Sequence, residues 1–206
     1  MRKRTALYGG TFDPVHLGHL EVARKVAELF ALEQVVFIPA QLAPHKIGRP
    51  VTEPIHRYAM LALATQDDPR LRISTFELDA PDRRYTVDTV AEFQRRLGED
   101  TELFFIMGAD SWSEIKTWRE WERLLHLTNH IVVTRPGYAA PAAPPELTER
   151  ILFTDAVMND VSATNIRRLA SAGRYDELAQ MVPGSVANYI RKYEIYRDSN
   201  EAKLHS

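Results

Sequence analysis

Between Arg4 and Ile38 the chain reads strand, glycine pair, helix, strand, and that order leaves few folds open. Arg4 to Tyr8 is a short apolar run ending in Gly9-Gly10. Leu17 to Ala31 then repeats apolar residues at helical spacing through Leu20, Ala23, Ala27 and Phe30, and Gln34 to Ile38 is a second strand. A crossover of this size between two strands implies parallel pairing and a right-handed connection.

The same alternation continues. Thr52 and Pro54 open a helix through Ala64, with Thr as cap and Pro inside the first turn, and Leu71 to Leu78 alternates like a strand. Thr86 is expected to cap a helix from Val87 to Leu97 that stops at Gly98, and Glu102 to Met107 is the most hydrophobic strand of the chain. A connection carrying Trp112, Trp118 and Trp121 leads to a strand from His130 to Thr134, and Ile151 to Phe153 makes the last one. Ser162 caps a helix ending near Gly173, and another runs from Pro183 to Tyr196. Strands alternating with helices predict an α/β fold: a Rossmann-like, doubly wound parallel sheet with helices on both faces and a small C-terminal helical part.

With 206 residues, such a chain buries about 70 to 75 % of its unfolded surface, so one domain over 1–196 is expected, followed by a polar tail over 197–206 that frays. The Ala- and Pro-rich stretch 139–146 reads as a surface loop, because too little chain follows it for a second core. Lys plus Arg (26) nearly balances Asp plus Glu (28), which gives no sign of polynucleotide binding yet leaves room for a local basic cleft. The absence of cysteine excludes disulfides, thiolate zinc sites and thiol nucleophiles. Met1-Arg2-Lys3-Arg4 leads straight into a strand and no apolar run nears the roughly 18 residues of a membrane span, so a cytoplasmic location is expected.

Ligands of doubly wound sheets bind at the carboxyl ends of the strands, which directs attention to the loops after strands one, two, four and the last. In the first of these, Gly9 and Gly10 permit positive φ and close approach of backbone to an anion. Thr11 adds a hydroxyl, and Pro14 stiffens the turn. His16 and His19 stand one turn apart at the positive end of a helix dipole. No Gly-Lys-Ser/Thr follows, and Gly9, Gly10 and Gly18 do not give G-x-G-x-x-G, so neither common nucleotide-loop pattern applies. A zinc pair would want a spacing of four and a third ligand, which His45, His56, His126, His130 and His205 do not offer at motif level. A nucleophilic histidine is chemically open, and a purely structural pair is the plain alternative. Two donors aimed at one volume suit a phosphoryl group in transfer best.

The remaining candidates are weighed singly. Lys46, in Pro44-His45-Lys46, is by itself a surface charge. A helix end supplies only about half a charge, however, and a cleft ion pair at roughly 4 Å is worth about 4 kcal/mol against about 1 in water, so a triphosphate site needs full cations. Ser162 and Thr164 can bond an anion at a helix start and Arg167, one turn on, can fork onto phosphate oxygens, whereas Arg168 faces elsewhere. Asp110 can accept from ribose hydroxyls, Trp118 can stack on a flat heterocycle, and N–H groups around Thr86 can hold a carboxylate. Trp112 and Trp121 are assigned to the core.

His16-Leu17-Gly18-His19 makes the chain resemble the nucleotidylyltransferase superfamily with the H-x-G-H signature. The resemblance is carried by Gly9 to His19, Pro44-His45-Lys46, Arg84 to Thr89, Gly108 to Trp112, Arg135-Pro136-Gly137 and Ser162 to Arg167 and covers nearly the whole length; the first and last mark the superfamily, and Tyr85-Thr86 and Gly108 to Trp112 point more narrowly to bacterial nicotinate-nucleotide adenylyltransferases. It implies attack by the 5′-phosphate of nicotinate mononucleotide on the α-phosphorus of Mg-ATP, in line and without a covalent intermediate. In that account Thr11, His16 and His19 hold the α-phosphate, Lys46 and Arg167 neutralise phosphates including pyrophosphate, and Gly9, Gly10, Phe12, Gly18, Ser162 and Thr164 complete the ATP site. The mononucleotide would meet Gly10, Lys46, Tyr85, Thr86, Gly108, Asp110, Trp118 and Arg135, with His45 another binding position. Magnesium would ride on the nucleotide with no side-chain metal ligand. The implied partners are small molecules, not nucleic acid or membrane, and a homo-oligomer is left open. Rival readings are transfer to phosphopantetheine, whose branch usually carries threonine where His16 stands, transfer to nicotinamide mononucleotide, and a non-catalytic ATP-binding regulator.

Overall fold

The computed structural model describes residues 2–41, 51–80, 85–134, 141–155 and 161–197, so Pro44, His45, Lys46, Arg84, Arg135, Pro136, Gly137 and the expected tail from 198 on lie outside the described residues. In chain order the elements are β1 (Lys3–Gly10), α1 (Leu17–Leu29), β2 (Gln34–Pro39), α2 (Pro54–Thr65), β3 (Leu71–Ile73), α3 (Thr86–Leu97) and β4 (Thr101–Gly108). They continue with α4 (Ala109–Ser113), α5 (Trp121–Leu127), β5 (Asn129–Val133), β6 (Ile151–Thr154), α6 (Ala163–Ser171), α7 (Tyr175–Leu178) and α8 (Gly184–Lys192). The six strands form one sheet in the order β3-β2-β1-β4-β5-β6, with every pairing parallel.

Strand alternation supplies a core to each face. Ala6, Val35, Phe37, Phe104, Ile106 and Ile131 point to the side covered by α1, α2, α6 and α8. Their neighbours Leu7, Val36, Ile38, Leu103, Phe105 and Val132 point to the side covered by α3, α4 and α5. Each such Val, Leu, Ile or Phe side chain, buried in full, stabilises the fold by about 1.5 to 3 kcal/mol. Because both faces are buried, the central strands are continuous apolar runs. The connection from β1 to β2 leaves on one side and β4 lies on the other, so the strand order reverses between β1 and β4. Doubly wound sheets place their ligand crevice at such a reversal, outside the carboxyl ends of the strands, here beside the starts of α1 and α4.

Several local expectations are corrected. Gly9 and Gly10 do not turn: they continue β1, paired with Ile38 and Pro39, and the left-handed residue is Phe12 at φ 49°. They are glycine because of rings, since a Cβ on Gly9 would lie 3.2 Å from the Phe105 ring and one on Gly10 2.8 Å from the Phe12 ring. The strand expected from Leu71 to Leu78 ends at Ile73. Ser74 Oγ accepts the Phe76 N–H and Thr75 Oγ1 donates to Asp79 Oδ2, so short polar side chains draw the chain into turns at the sheet edge.

The N-cap of α2 is Glu53 and that of α3 is Tyr85, one residue from Thr52 and Thr86 respectively. The tryptophan-rich connection holds two helices, α4 and α5, and α7 lies between α6 and α8. The 139–146 stretch is tied down where described, by a Trp112 Nε1 bond to the Pro141 carbonyl at 2.7 Å and by buried Leu147 just after it.

Candidate active site

A small set of side-chain bonds fixes the loop between β1 and α1. Arg57, fully buried on α2, donates to the Thr11 carbonyl at 2.9 Å, the Thr52 carbonyl at 2.9 Å and the Gln41 carbonyl at 3.4 Å. Burial pulls the pKa of this guanidinium down and the Asp13 carboxylate opposes the pull. Asp13 is itself 4 % exposed: its carboxylate accepts the Tyr196 hydroxyl at 2.7 Å and the Thr52 N–H at 3.3 Å. Its carbonyl accepts Arg167 Nη1 at 2.7 Å. Loop and α6 therefore meet directly, across 154 positions of sequence.

His16 is the N-cap of α1, in extended conformation, and His19 is three residues into the structure it opens. Their rings stack at 3.6 Å between centroids, 24° from parallel. Phe12 and Tyr8 meet His19 edge-on at 5.0 and 6.2 Å and hold its ring in place. The backbone N–H of His16 donates to His19 Nδ1 at 3.3 Å, so in neutral His19 the proton sits on Nε2. His16 is 8 % exposed, its Nδ1 has no hydrogen-bond partner among the described residues, and loss of solvation lowers its pKa to about 4. It is a neutral imidazole at pH 7.

Fewer backbone N–H groups are free at this helix start than a bare N-terminus would offer. The Leu17 N–H donates to the Met181 carbonyl, that of His19 to the His16 carbonyl, and that of His16 to the His19 ring. An anion here must be held largely by side chains. Arg167 is a cation tied to this loop; besides Asp13 it reaches Thr164 Oγ1 at 3.1 Å, which holds its fork beside the start of α6. Ser162 takes the N-cap position there without a side-chain cap bond and stays exposed, as does Thr164. Arg168 turns away to Asn165 at 2.9 Å.

Phe12 is only 2 % exposed, so its ring belongs to the core and only its backbone can face a ligand. Thr11 is half-buried and Gly18 is buried within α1. On the other side of the crevice, Gly108 N-caps α4 with Asp110 in its first turn, both exposed. Tyr85 N-caps α3, Thr86 begins it, and the Arg119 guanidinium lies 4.6 Å over the Tyr85 ring. Trp118 is half-buried, edge-on to Phe105 at 6.3 Å, with Nε1 buried and without a partner among the described residues. Trp112 is 3 % exposed and Trp121 packs on the same cluster, as core residues do.

Sequence reasoning misses Arg57, Asp13 and Tyr196. Arg57 leaves a trace: it shares the apolar face of α2 with Met60, Leu61 and Ala64, where an unpaired charge is not tolerated. Asp13 and Tyr196 leave none, because their contact joins positions 183 apart.

A family model described as cytidylyltransferase-like matches residues 7–169. Two curated relatives, each named "probable nicotinate-nucleotide adenylyltransferase", come from a Thermoanaerobacter species and from Thermus thermophilus. The first is 40 % identical over 205 residues, 96 % of each chain; the second is 43 % identical over 194 residues, 94 % of this chain and all of the relative. Among solved structures, the Plasmodium falciparum nicotinic acid mononucleotide adenylyltransferase complexed with NaAD superposes with a TM-score of 0.75 at 19 % identity, over 94 % of this chain and 97 % of that one, and so shares the fold. Agreement of the family model with relatives near 40 % identity along almost the full length decides the matter: the chain belongs to the cytidylyltransferase-like family, among the nicotinate-nucleotide adenylyltransferases.

Proposed function

We propose that the protein transfers the adenylyl group of ATP to nicotinate mononucleotide, yielding deamido-NAD and pyrophosphate in NAD biosynthesis. The observation that supports this reading is the bond from Arg167 to the Asp13 carbonyl, which ties a guanidinium of α6 to the loop that leads into the stacked His16 and His19. Adenylyl transfer needs little more than alignment and charge compensation, since the attacking phosphate is already a nucleophile. The mononucleotide 5′-phosphate attacks the α-phosphorus in line as the bond to pyrophosphate breaks.

His19 donates from Nε2 to an α-phosphate oxygen, its tautomer set by the His16 N–H. His16, neutral and poorly solvated, adds a hydrogen bond that strengthens as charge builds on that oxygen. Arg167 neutralises the departing pyrophosphate, assisted by Thr11, Ser162 and Thr164, and Lys46 is assigned the same work on sequence grounds. The backbone of Gly9, Gly10, Phe12 and Gly18 lines the ATP phosphates. Tyr85, Thr86, Gly108, Asp110 and Trp118 form the mononucleotide side, to which Arg135 is assigned on sequence grounds, and the start of α3 receives the pyridine carboxylate.

The donors here are imidazole and guanidinium, and the Asp13 carboxylate is already engaged by Tyr196 and Thr52, so the residues do not make a magnesium cage. Magnesium would be carried on the ATP phosphates, where it would supply charge neutralisation. The substrates are small molecules. Among the described residues no helix is long and apolar enough to cross a membrane, and we assign the enzyme to the cytoplasm.

Purified protein incubated with Mg-ATP and one acceptor at a time is expected to release pyrophosphate with nicotinate mononucleotide. Equal efficiency with nicotinamide mononucleotide would overturn the preference for the carboxylate, and silence with every acceptor would leave a nucleotide-binding regulator.

A further inference from the structure

Asp13 joins two jobs in one residue. Its carbonyl anchors Arg167 and its carboxylate is held by Tyr196 and by the Thr52 N–H, while His16 follows three positions later. Pro14 and buried Val15 are the only residues between them. A displacement of the carboxylate therefore moves the anchor of the guanidinium and the origin of α1 together.

Tyr196 reaches this carboxylate from the other end of the chain, and it does so in an unfavourable backbone conformation. Its φ is 73°, in the left-handed region that bulky residues avoid. Its ring packs against the core cluster that also holds Phe12, Val15 and Ile166. A phenylalanine would fill that volume equally well. What the hydroxyl adds is the 2.7 Å bond to Asp13 and a hydrogen bond with the side chain of Thr52, whose N–H meets the same carboxylate. Arg57 completes the frame from behind by holding the carbonyls of Thr11 and Thr52.

We propose that Tyr196 is a positioning residue for adenylyl transfer, acting through the Asp13 carboxylate to set the relative placement of Arg167 and His16. The proposal rests on the reaction assigned above and adds to it a remote residue that touches no substrate. Small displacements of reacting partners lower turnover steeply while leaving ground-state binding nearly intact.

Tyr196→Phe keeps the ring and removes the bond. In the pyrophosphate assay its kcat is expected to fall about tenfold with KM for ATP within about twofold of the parent. The double variant Asp13→Asn with Tyr196→Phe is expected to be no slower than Asp13→Asn alone, because both act on one cluster in which Tyr196 and Thr52 hold the Asp13 carboxylate. In histidine NMR spectra the His16 and His19 ring signals should move in Tyr196→Phe, while that of His126, bonded to the Glu122 carbonyl on α5, should not.

An unchanged kcat with a lowered melting temperature would make Tyr196 a structural residue and overturn the proposal, as would independent, multiplying losses in the double variant. A parent protein inactive with every acceptor would sink the assigned reaction instead. In that case the ring signals decide, and unmoved His16 and His19 signals sink the positioning role.

Discussion

His16 and His130 are both buried, both hold Nδ1 without a partner among the described residues, and both have their pKa pushed down to about 4 by loss of solvation. Their surroundings differ in kind. His130 lies in β5 beside Phe105 of β4, within the sheet and on the face covered by α5, with Nε2 3.2 Å from the Leu124 carbonyl, the Phe105 ring at 6.3 Å and the Arg150 charge adding to the depression. His16 stands at the carboxyl ends, caps a helix, stacks on a second imidazole and lies three residues from the anchor of a guanidinium. A depressed imidazole pKa marks burial, and burial alone describes a core. The mark of a site is that ionisable groups from distant segments converge on the edge of the sheet where ligands bind.

Substitution separates the two most sharply. His19→Ala and His16→Ala are each expected to lose about 10² to 10³ or more in turnover, the cost of removing one preorganised donor, with folding retained because both residues open a helix beside the cleft. His130→Ala is expected to keep its turnover and to lose about 2 to 4 kcal/mol of stability through a cavity between β5 and α5. Pyrophosphate release and urea unfolding measure the two quantities on the same preparations. Wild-type-like turnover in His19→Ala would remove histidine from the chemistry, and a turnover loss in a stable His130→Ala would erase the contrast.

Arg167→Lys sharpens it at a smaller scale. The guanidinium bonds Asp13 and Thr164 from two nitrogens at once, and an ammonium on a flexible stem cannot reproduce that fork. A decrease of roughly 10- to 100-fold in kcat/KM for ATP is expected. Full activity in the lysine variant would reduce Arg167 to a point charge.

The parallel sheet is legible from Arg4 onward because two buried faces impose continuous apolar strands, and the pairing of histidines with a helix start can be read from spacing alone. The glycine pair reads as a turn in sequence and is not one, since the rings of Phe105 and Phe12 that demand it lie elsewhere in the fold or fold back over it. Likewise the first-turn N–H groups of α1 look free in sequence, whereas the Met181 carbonyl holds that of Leu17. Local periodicity carries secondary structure and helix ends. It does not carry which distant partner consumes a donor, and for that reason Arg57, Asp13 and Tyr196 emerge only in three dimensions.

Acid separates the two histidines through what a ligand does to each. Their folded pKa of about 4 lies below the unfolded value of about 6.5, so as pH falls the unfolded chain takes up protons first and stability is lost between those limits. Above pH 6.5 this contribution is fully present. At pH 5 each histidine subtracts about 2 kcal/mol, and His130→Gln, which cannot titrate, should remove about half of the combined slope. A non-hydrolysable ATP analogue places negative phosphates beside His16 and raises its pKa toward the unfolded value, so saturation with the analogue should flatten the His16 share and leave the His130 share untouched. Urea unfolding between pH 5 and 7, with and without analogue, reads both slopes. An analogue that flattens the residual slope of His16→Ala would place its phosphates near His130, on the other face of the sheet, and would undo the distinction between site and core.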